Sequence, residues 1–417
     1  MTAVPRIVRI SRLLAGIALL AAVGSGCSTV QQTLCETPAP QANGKAQPDG
    51  LDAPVADCDC SKEQKTAEAQ APEKQETAEP HVIAKQAFSF TSKGDELAGV
   101  IDRPETITEP LPAVVVLHDS GPMNRRGLFK GALGLELPVE VPVYQEIAEN
   151  LAQNGYVVMR FDKRTCVDGG PPWCKYPRDY IEDHREKLAS TLMADAKAAV
   201  TALRKRKDVD PTRVYILGHG QGAELALAVA GDVEPRGLVL LAPSPYPVDE
   251  VVLHQTQASR DHLAKRRKAE GNTTMGTLLQ QQLDALETTH EKQKKAFEKL
   301  RADEEMDGDV LGAPETTWAG LFELHDRAMA SVKNSQVPVL ALFGEHDLDI
   351  PSDSAEKFQT QLGRSRKSEV MLLPDVTRVM VGLGEEQGDT TQVSEDVHQA
   401  ILHFFGELDK APTEPES

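Results

Sequence analysis

Several things are scarce in this chain. Only 4% of its 417 residues are aromatic, too few for a platform of stacked bases. Basic residues are outnumbered, 45 Lys and Arg against 64 Asp and Glu, which leaves a formal charge of -19. Binding to a phosphate backbone draws its strength from Lys and Arg, so no nucleic-acid partner is expected. There is no His-x-x-x-His and no Cys-x-x-Cys, so no metal centre is expected. No phosphate-cradling glycine loop follows a first strand, and no cofactor is expected. What is present suffices for folding: 40% hydrophobic residues support a core and exclude wholesale disorder. The length corresponds to two or three domains at about 150 residues each, or to one α/β domain with insertions.

The N-terminus reads as an address. Arg6, Arg9 and Arg12 precede an apolar run from Leu13 to Val23, about half the roughly 20 residues that a membrane-spanning helix needs. Gly24-Ser25-Gly26-Cys27 follows. This arrangement resembles a bacterial lipoprotein signal, with residues 1–26 removed and Cys27 lipidated. Plain secretion and an uncleaved anchor are the alternatives. Ser28 after the Cys implies the outer membrane, so the expected location is the cell envelope, with the membrane as a partner through Cys27. Residues 27–85, rich in Ala, Pro, Gln, Glu, Lys and Thr, have no apolar period and read as a disordered tether. Cys35 is expected to pair with Cys58 or Cys60 in an oxidising compartment, and spacing leaves the choice open.

From residue 86 onward strands and helices alternate. Phe88–Ser92 and Glu96–Ile101 flank Lys93-Gly94-Asp95 as an antiparallel hairpin. Ala113–Leu117, Tyr156–Phe161, Arg213–Leu217, Gly237–Leu241, Val337–Phe343 and Ser368–Leu373 read as strands. Val143–Gln153, Arg185–Lys207, a segment from the Gly218–Gly222 turn to about Ala230, and Ser394–Leu408 read as helices. Such alternation predicts a mostly parallel sheet with helices on both faces. Residues from about 249 to 318 hold no strand candidate and predict a helical cap over the carboxyl edge of the sheet. A solvated hairpin with no gating role is the other reading.

Five motifs in order then resemble the α/β-hydrolase family, in its exported esterase and serine-peptidase-like branch. They are His118-Asp119-Ser120-Gly121-Pro122, Arg160-Phe161-Asp162-Lys163-Arg164, Gly218-His219-Gly220-Gln221-Gly222, Gly344-Glu345-His346-Asp347 and Leu373-Pro374-Asp375-Val376-Thr377-Arg378. The resemblance implies an α/β-hydrolase domain over 86–417. It also implies a triad of Ser, His and acid, with backbone donors for an oxyanion. Carried over residue by residue, the nucleophile position is Gly220, the base position is Arg378 and the acid is Asp347. The oxyanion-turn positions are Asp119, Ser120 and Gln221. Glycine has no side chain to attack with, and a guanidinium stays protonated near neutral pH. The Asp119 carboxylate opposes the negative charge that the turn should stabilise. No catalytic set is intact on this reading, and an Asp347–Arg378 contact is expected to close the former site.

Other residues have plainer readings beside the functional ones. Ser120 and His346 are the candidates for relocated catalysis. His219, His398 and His403 read as packing or surface residues, and His118 and Asp162 as turn residues. Glu224 reads as complementing a positive helix end. Asp119, His118 and Asp347 are the only grouping that a metal would suit. Cys166 and Cys174 bracket a short loop and are expected to form a disulfide. Two functional classes follow: a non-catalytic envelope lipoprotein that binds an unknown ligand or envelope protein through its cleft and cap, and a serine-hydrolase-like esterase or peptidase with relocated catalytic residues.

Overall fold

The computed structural model describes residues 79–129, 141–166, 187–304, 309–334, 336–362, 367–383 and 392–410. The expected signal, most of the expected tether, Cys27, Cys35, Cys58, Cys60 and Cys174 lie outside the described residues. The chain enters through a hairpin, β1 (Ile83–Ser92) and β2 (Asp95–Pro104). Lys93 and Gly94 join them with φ of 53° and 92°, the positive pair that a two-residue hairpin turn needs to match the twist of its strands.

The remaining main strands are β3 (Leu111–Leu117), β6 (Val157–Phe161), β7 (Val209–His219), β8 (Leu238–Leu241), β9 (Val339–His346) and β10 (Glu369–Thr377). Two-residue strands β4 (Leu128–Phe129) and β5 (Val141–Pro142) pair separately. The eight-stranded sheet runs β1-β2-β6-β3-β7-β8-β9-β10. The pairs β1–β2 and β2–β6 are antiparallel and every later neighbour is parallel. The central strands are continuous apolar runs, such as Pro-Ala-Val-Val-Val-Leu in β3, because both faces are covered.

One face is covered by α1 (Val143–Gln153) and α8 (Glu395–Lys410). The other carries α2 (Leu188–Arg204), α3 (Gln221–Val233), α6 (Glu315–Asn334) and α7 (Ser354–Gln361). Helix α1 ends at Gly155, whose φ of 90° turns the chain into β6 while Tyr156 N–H bonds back to the Leu151 carbonyl at 3.1 Å. This is the α/β-hydrolase fold, with its antiparallel entry hairpin and a helical excursion between β8 and β9.

The excursion begins with two long helices, α4 (Val248–Glu270) and α5 (Thr274–Arg301). They pack on each other as an antiparallel hairpin. Gly271 reverses the chain at φ 59°, and Thr273 Oγ1 caps α5 by accepting from Gly276 N–H at 3.0 Å. Arg301 donates two bonds to Asp249, at 2.7 and 2.9 Å, where the hairpin leaves the body. Phe297 packs edge-on to Trp318 in a small core of its own, shared with Val310 and Ala313.

Candidate functional site

Parallel strands of one sheet end on one edge, so β3, β7, β9 and β10 deliver their following residues to the same place. Asp119 follows β3, Gly220 lies between β7 and α3, Asp347 follows β9 and Arg378 follows β10. The turn at Gly220 has φ 51° and ψ -112°, a backbone that side chains with a Cβ adopt only under strain. Its flanking glycines are needed for close approach. A Cβ on Gly218 would stand 2.7 Å from Ala223 N, and one on Gly222 2.7 Å from His118 O.

Arg378 is the centre of the site. Its Nη2 donates to Asp119 Oδ2 at 2.9 Å and Oδ1 at 3.1 Å, and its Nε to Asp119 Oδ2 at 3.3 Å. Nε also lies 3.3 Å from Asp349 Oδ2, and Nη1 lies 3.6 Å from Asp347 Oδ2. The contact expected between Asp347 and Arg378 is therefore present as an ion pair but is secondary. Asp119 takes the hydrogen bonds, because the Nε–Nη2 edge of the planar guanidinium lies against its carboxylate. Nη1, Asp347 Oδ2 and Asp349 Oδ1 are buried without a hydrogen-bond partner.

Asp119 has a second role. Its Oδ1 accepts Ser120 N–H at 2.7 Å and Gln221 N–H at 3.2 Å. In α/β-hydrolases the oxyanion is received by the N–H of the residue after the nucleophile and an N–H of the loop after the third strand. One carboxylate oxygen here sits between such a pair of donors. Asp119 N–H in turn donates to Tyr144 Oη at 2.9 Å. Lys163 Nζ donates to Asp119 O and to Gln221 Oε1, both at 2.8 Å.

The space belongs to the ion pair. A Cβ on Gly220 would lie 2.5 Å from Asp119 Cγ and 2.6 Å from Arg378 Nη2. Any side chain at 220 must displace both partners. The residues at 119, 220 and 378 thus form one packed unit, although each belongs to a separate motif.

Burial and charge set the protonation states. Burial raises the Asp119 carboxyl, but Arg378, His219 and the Ser120 N–H together hold it at about 2. Burial pushes Asp347 up to about 7, with Arg378 opposing and Asp349 adding. Asp349 is raised as well, again first by burial. The guanidinium is held protonated by Asp119, Asp347 and Asp349 against the cost of its own burial. Burial lowers Lys163 to about 8, with Asp119 and Asp195 opposing.

The histidines nearby are engaged in packing. His118 Nε2 bonds the Phe161 carbonyl at 2.5 Å, and burial holds the ring at about 3. His219 lies between Tyr144 Oη, at 3.3 Å from Nδ1, and the Arg378 carbonyl, at 3.1 Å from Nε2. Burial holds it at about 4. Ser120 is exposed on its turn. His346 faces Asp375 at 3.3 Å on the exposed rim. His398 is half-buried and His403 exposed on α8. Glu224 stands in the first turn of α3, where a carboxylate suits the positive helix end, and is also bonded to His325 Nδ1 of α6 at 3.0 Å. Asp162 receives Arg125 through two side-chain bonds at 2.5 and 3.0 Å, as a turn residue. Among the described residues no group of His, Cys, Asp and Glu is arranged to hold a metal.

Sequence reasoning missed Asp349, Tyr144 and His325, and named Lys163 only within its turn motif. Asp349 stands two residues after Asp347 in the same turn and was the most accessible of them. The others reach their places through long-range packing.

An esterase of Thermotoga maritima, EstD, is 28% identical over 274 residues, which are 65% of this chain and 55% of that protein. The chain thus spans about half the length of this curated relative. Among solved structures, Est1E from Butyrivibrio proteoclasticus overlaps 78% of this chain and 99% of its own, with a TM-score of 0.45 and 15% identity. An acylaminoacyl peptidase of Pyrococcus horikoshii overlaps 80% of this chain and 43% of its own, with a TM-score of 0.45 and 16% identity. A family pattern covers residues 140–374, a span that contains Gly220 and Asp347 and stops short of Arg378. With that match over more than half of its length, the chain belongs to the hydrolase family described as serine aminopeptidase, S33.

Proposed function

We propose that this protein keeps the hydrolase fold without acyl transfer and acts as a binding protein of the cell envelope. In this reading lipid on Cys27 holds it to the membrane, and it binds a ligand or an envelope protein through its cleft and cap. The observation that carries the proposal is the place of Asp119 Oδ1, held by Ser120 N–H and Gln221 N–H. A carboxylate there opposes the charge of a tetrahedral intermediate, which such donors would otherwise stabilise by several kcal/mol, about 3–4 for one donor. Gly220 supplies no nucleophile, and Arg378, paired with three carboxylates, supplies no base. The Cys166–Cys174 disulfide belongs to the same reading as a staple in an oxidising compartment. Its support is that Cys166 is disulfide-bonded, while Cys174 lies outside the described residues.

A second reading, an esterase or peptidase with relocated residues, is favoured by the similarity to a protein named as an esterase. Ser120 and the His346–Asp375 pair are the groups it would draw on. The two readings are separated by assaying the full chain on short-chain nitrophenyl esters and aminoacyl amides. The same assay is run on a Gly220→Ser/Asp119→Gly/Arg378→His variant. The first reading expects no turnover from the natural chain and measurable turnover from the variant. Turnover by the natural chain that survives repurification and is lost in Ser120→Ala establishes the second reading.

A further inference from the structure

The far end of the α4–α5 hairpin differs from the rest of the surface. From His262 to Leu283 the chain carries Lys265, Arg266, Arg267 and Lys268 against one acidic residue, Glu270, a charge of +3 in a protein of -19, with Asp261 and Asp284 bounding the stretch on the side of the body. Lys265, Arg266 and Lys268 are exposed. Arg267 is half-buried, and its Nη1 closes α4 by donating to the Gly271 carbonyl at 2.7 Å. Across the turn, Met275 and Leu278 are 45% and 47% exposed. They stand three residues apart and so share one helix face. Leu279 points the other way and is buried in the hairpin.

An acidic protein that concentrates cations and exposed apolar side chains on one projection presents a surface with a specific complement. At about 1.5 Å per residue, the tip stands roughly 25–30 Å along the hairpin from the Phe297–Trp318 core at its base. That is several times the Debye length of about 8 Å at physiological salt, so the negative charge of the body does not cancel the field at the tip.

We propose that this tip docks on an anionic lipid bilayer, its cations on the headgroup phosphates and Met275 and Leu278 in the acyl boundary. Basic side chains beside apolar ones are the composition that binds in the interfacial plane. No helix among the described residues is long and apolar enough to cross a membrane, so the contact is peripheral. The hairpin has no aromatic residue between Val248 and Ala296, so a nucleic acid would find no stacking surface there. An acidic protein would match the cations but would leave the apolar pair without a hydrocarbon partner.

The test reads the tip itself, in the full chain carrying Cys27→Ala, so that a lipid on the N-terminus does not contribute. Leu278→Trp places a fluorophore on the exposed face, and its emission is taken as the difference from the unsubstituted chain. Vesicles of phosphatidylcholine with 30% phosphatidylglycerol are expected to shift this emission to the blue, and pure phosphatidylcholine vesicles are not. Adding Lys265→Glu, Arg266→Glu and Lys268→Glu is expected to weaken the response by at least about 100-fold in lipid concentration, as roughly one kcal/mol per lost cation at an anionic surface implies before the added repulsion. Raising the salt is expected to act in the same direction. No shift on anionic vesicles, or a shift that survives the charge reversal, overturns the proposal. A response of equal size to polyglutamate or to a short DNA duplex overturns the lipid assignment in favour of that partner.

Discussion

Two buried charge clusters lie near the carboxyl edge of the sheet, and they are built on different arithmetic. Around the turn after β6 each arginine has at least one carboxylate of its own, while Lys163 is bonded to the Asp119 carbonyl and Gln221 Oε1. Arg160 donates two bonds to Asp102 at 2.7 and 3.1 Å, and Arg164 donates two to Asp195 at 2.6 and 2.5 Å, with all four side chains at most 3% exposed. Arg125 and Asp162 repeat the pattern nearer the surface. Around Arg378 one guanidinium serves Asp119, Asp347 and Asp349, and three polar atoms are left without hydrogen bonds. Matched pairs hold a turn in place and do nothing more. A cluster with two carboxylates in excess stores unfavourable charge, and that is a property of functional or formerly functional sites.

The comparison can be broken by removing one cation. Arg164→Met strands Asp195 in the core and is expected to cost about 3–5 kcal/mol, seen as a lower urea midpoint at any pH from 6 to 8. Arg378→Met is expected to match that loss at pH 8 and to fall clearly short of it at pH 5, where Asp347, raised to about 7, takes up a proton. Equal losses at both values would remove the distinction between the clusters.

pH alone sharpens it. Asp347 is raised to about 7 in the folded chain, against about 3.9 unfolded. Between those values the folded chain keeps a proton that the unfolded chain has released, so stability falls as pH rises through that window. From pH 5 to pH 7.5 the expected fall is about 2–3 kcal/mol, at roughly 1.4 kcal/mol per unit. Asp347→Asn should flatten the curve of urea midpoint against pH. Asp119, held at about 2, acts in the opposite sense, and its stabilisation is lost only as pH falls below about 4.

A smaller effect concerns Gly220. Gly220→Ser alone is expected to cost about 1–3 kcal/mol from its positive φ, and more through displacement of the Asp119–Arg378 pair. In a background of Asp119→Gly and Arg378→His that second part disappears. Denaturation of the natural chain, Gly220→Ser, the double variant and the triple variant should therefore show a coupling of about 0.5–3 kcal/mol between position 220 and the pair. Strict additivity would mean that the three positions are independent. The smallest effect is expected where an unmatched cluster is exposed. Lys197 and Arg327 share Asp232 with 38–44% exposure of the side chains, and Arg327→Ala is expected to change stability by less than about 1 kcal/mol.

Much of this was legible in the chain. The apolar runs of β3 and β8, the Asn154-Gly155 stop and the Lys93-Gly94 turn are local signals, and they marked the elements that form. The five turn motifs placed Asp119, Gly220, Asp347 and Arg378 on one edge of one sheet. The expected contact of Arg378 with Asp347 is present at 3.6 Å, but its hydrogen bonds to Asp119 were not read from the sequence. The tighter contact goes to Asp119, 259 residues away, because the guanidinium edge with two adjacent donors faces β3. Glu224 was read at its helix end, where it stands, but its bond to His325 was not, because that partner is 101 residues further on.

By itself the sequence determined the strand and helix order, the fold, and which residue types stand at the turns, because periodicity and turn chemistry act within a few residues. Only the tertiary structure decided that a carboxylate oxygen would lie between Ser120 N–H and Gln221 N–H. It alone decided that the space beside Gly220 would be filled by the Asp119–Arg378 pair, and that Asp347 would be buried with a raised pKa. Hydrogen-bond reach, exclusion of a Cβ and desolvation all depend on which distant segments share a few ångströms, and no local pattern encodes that.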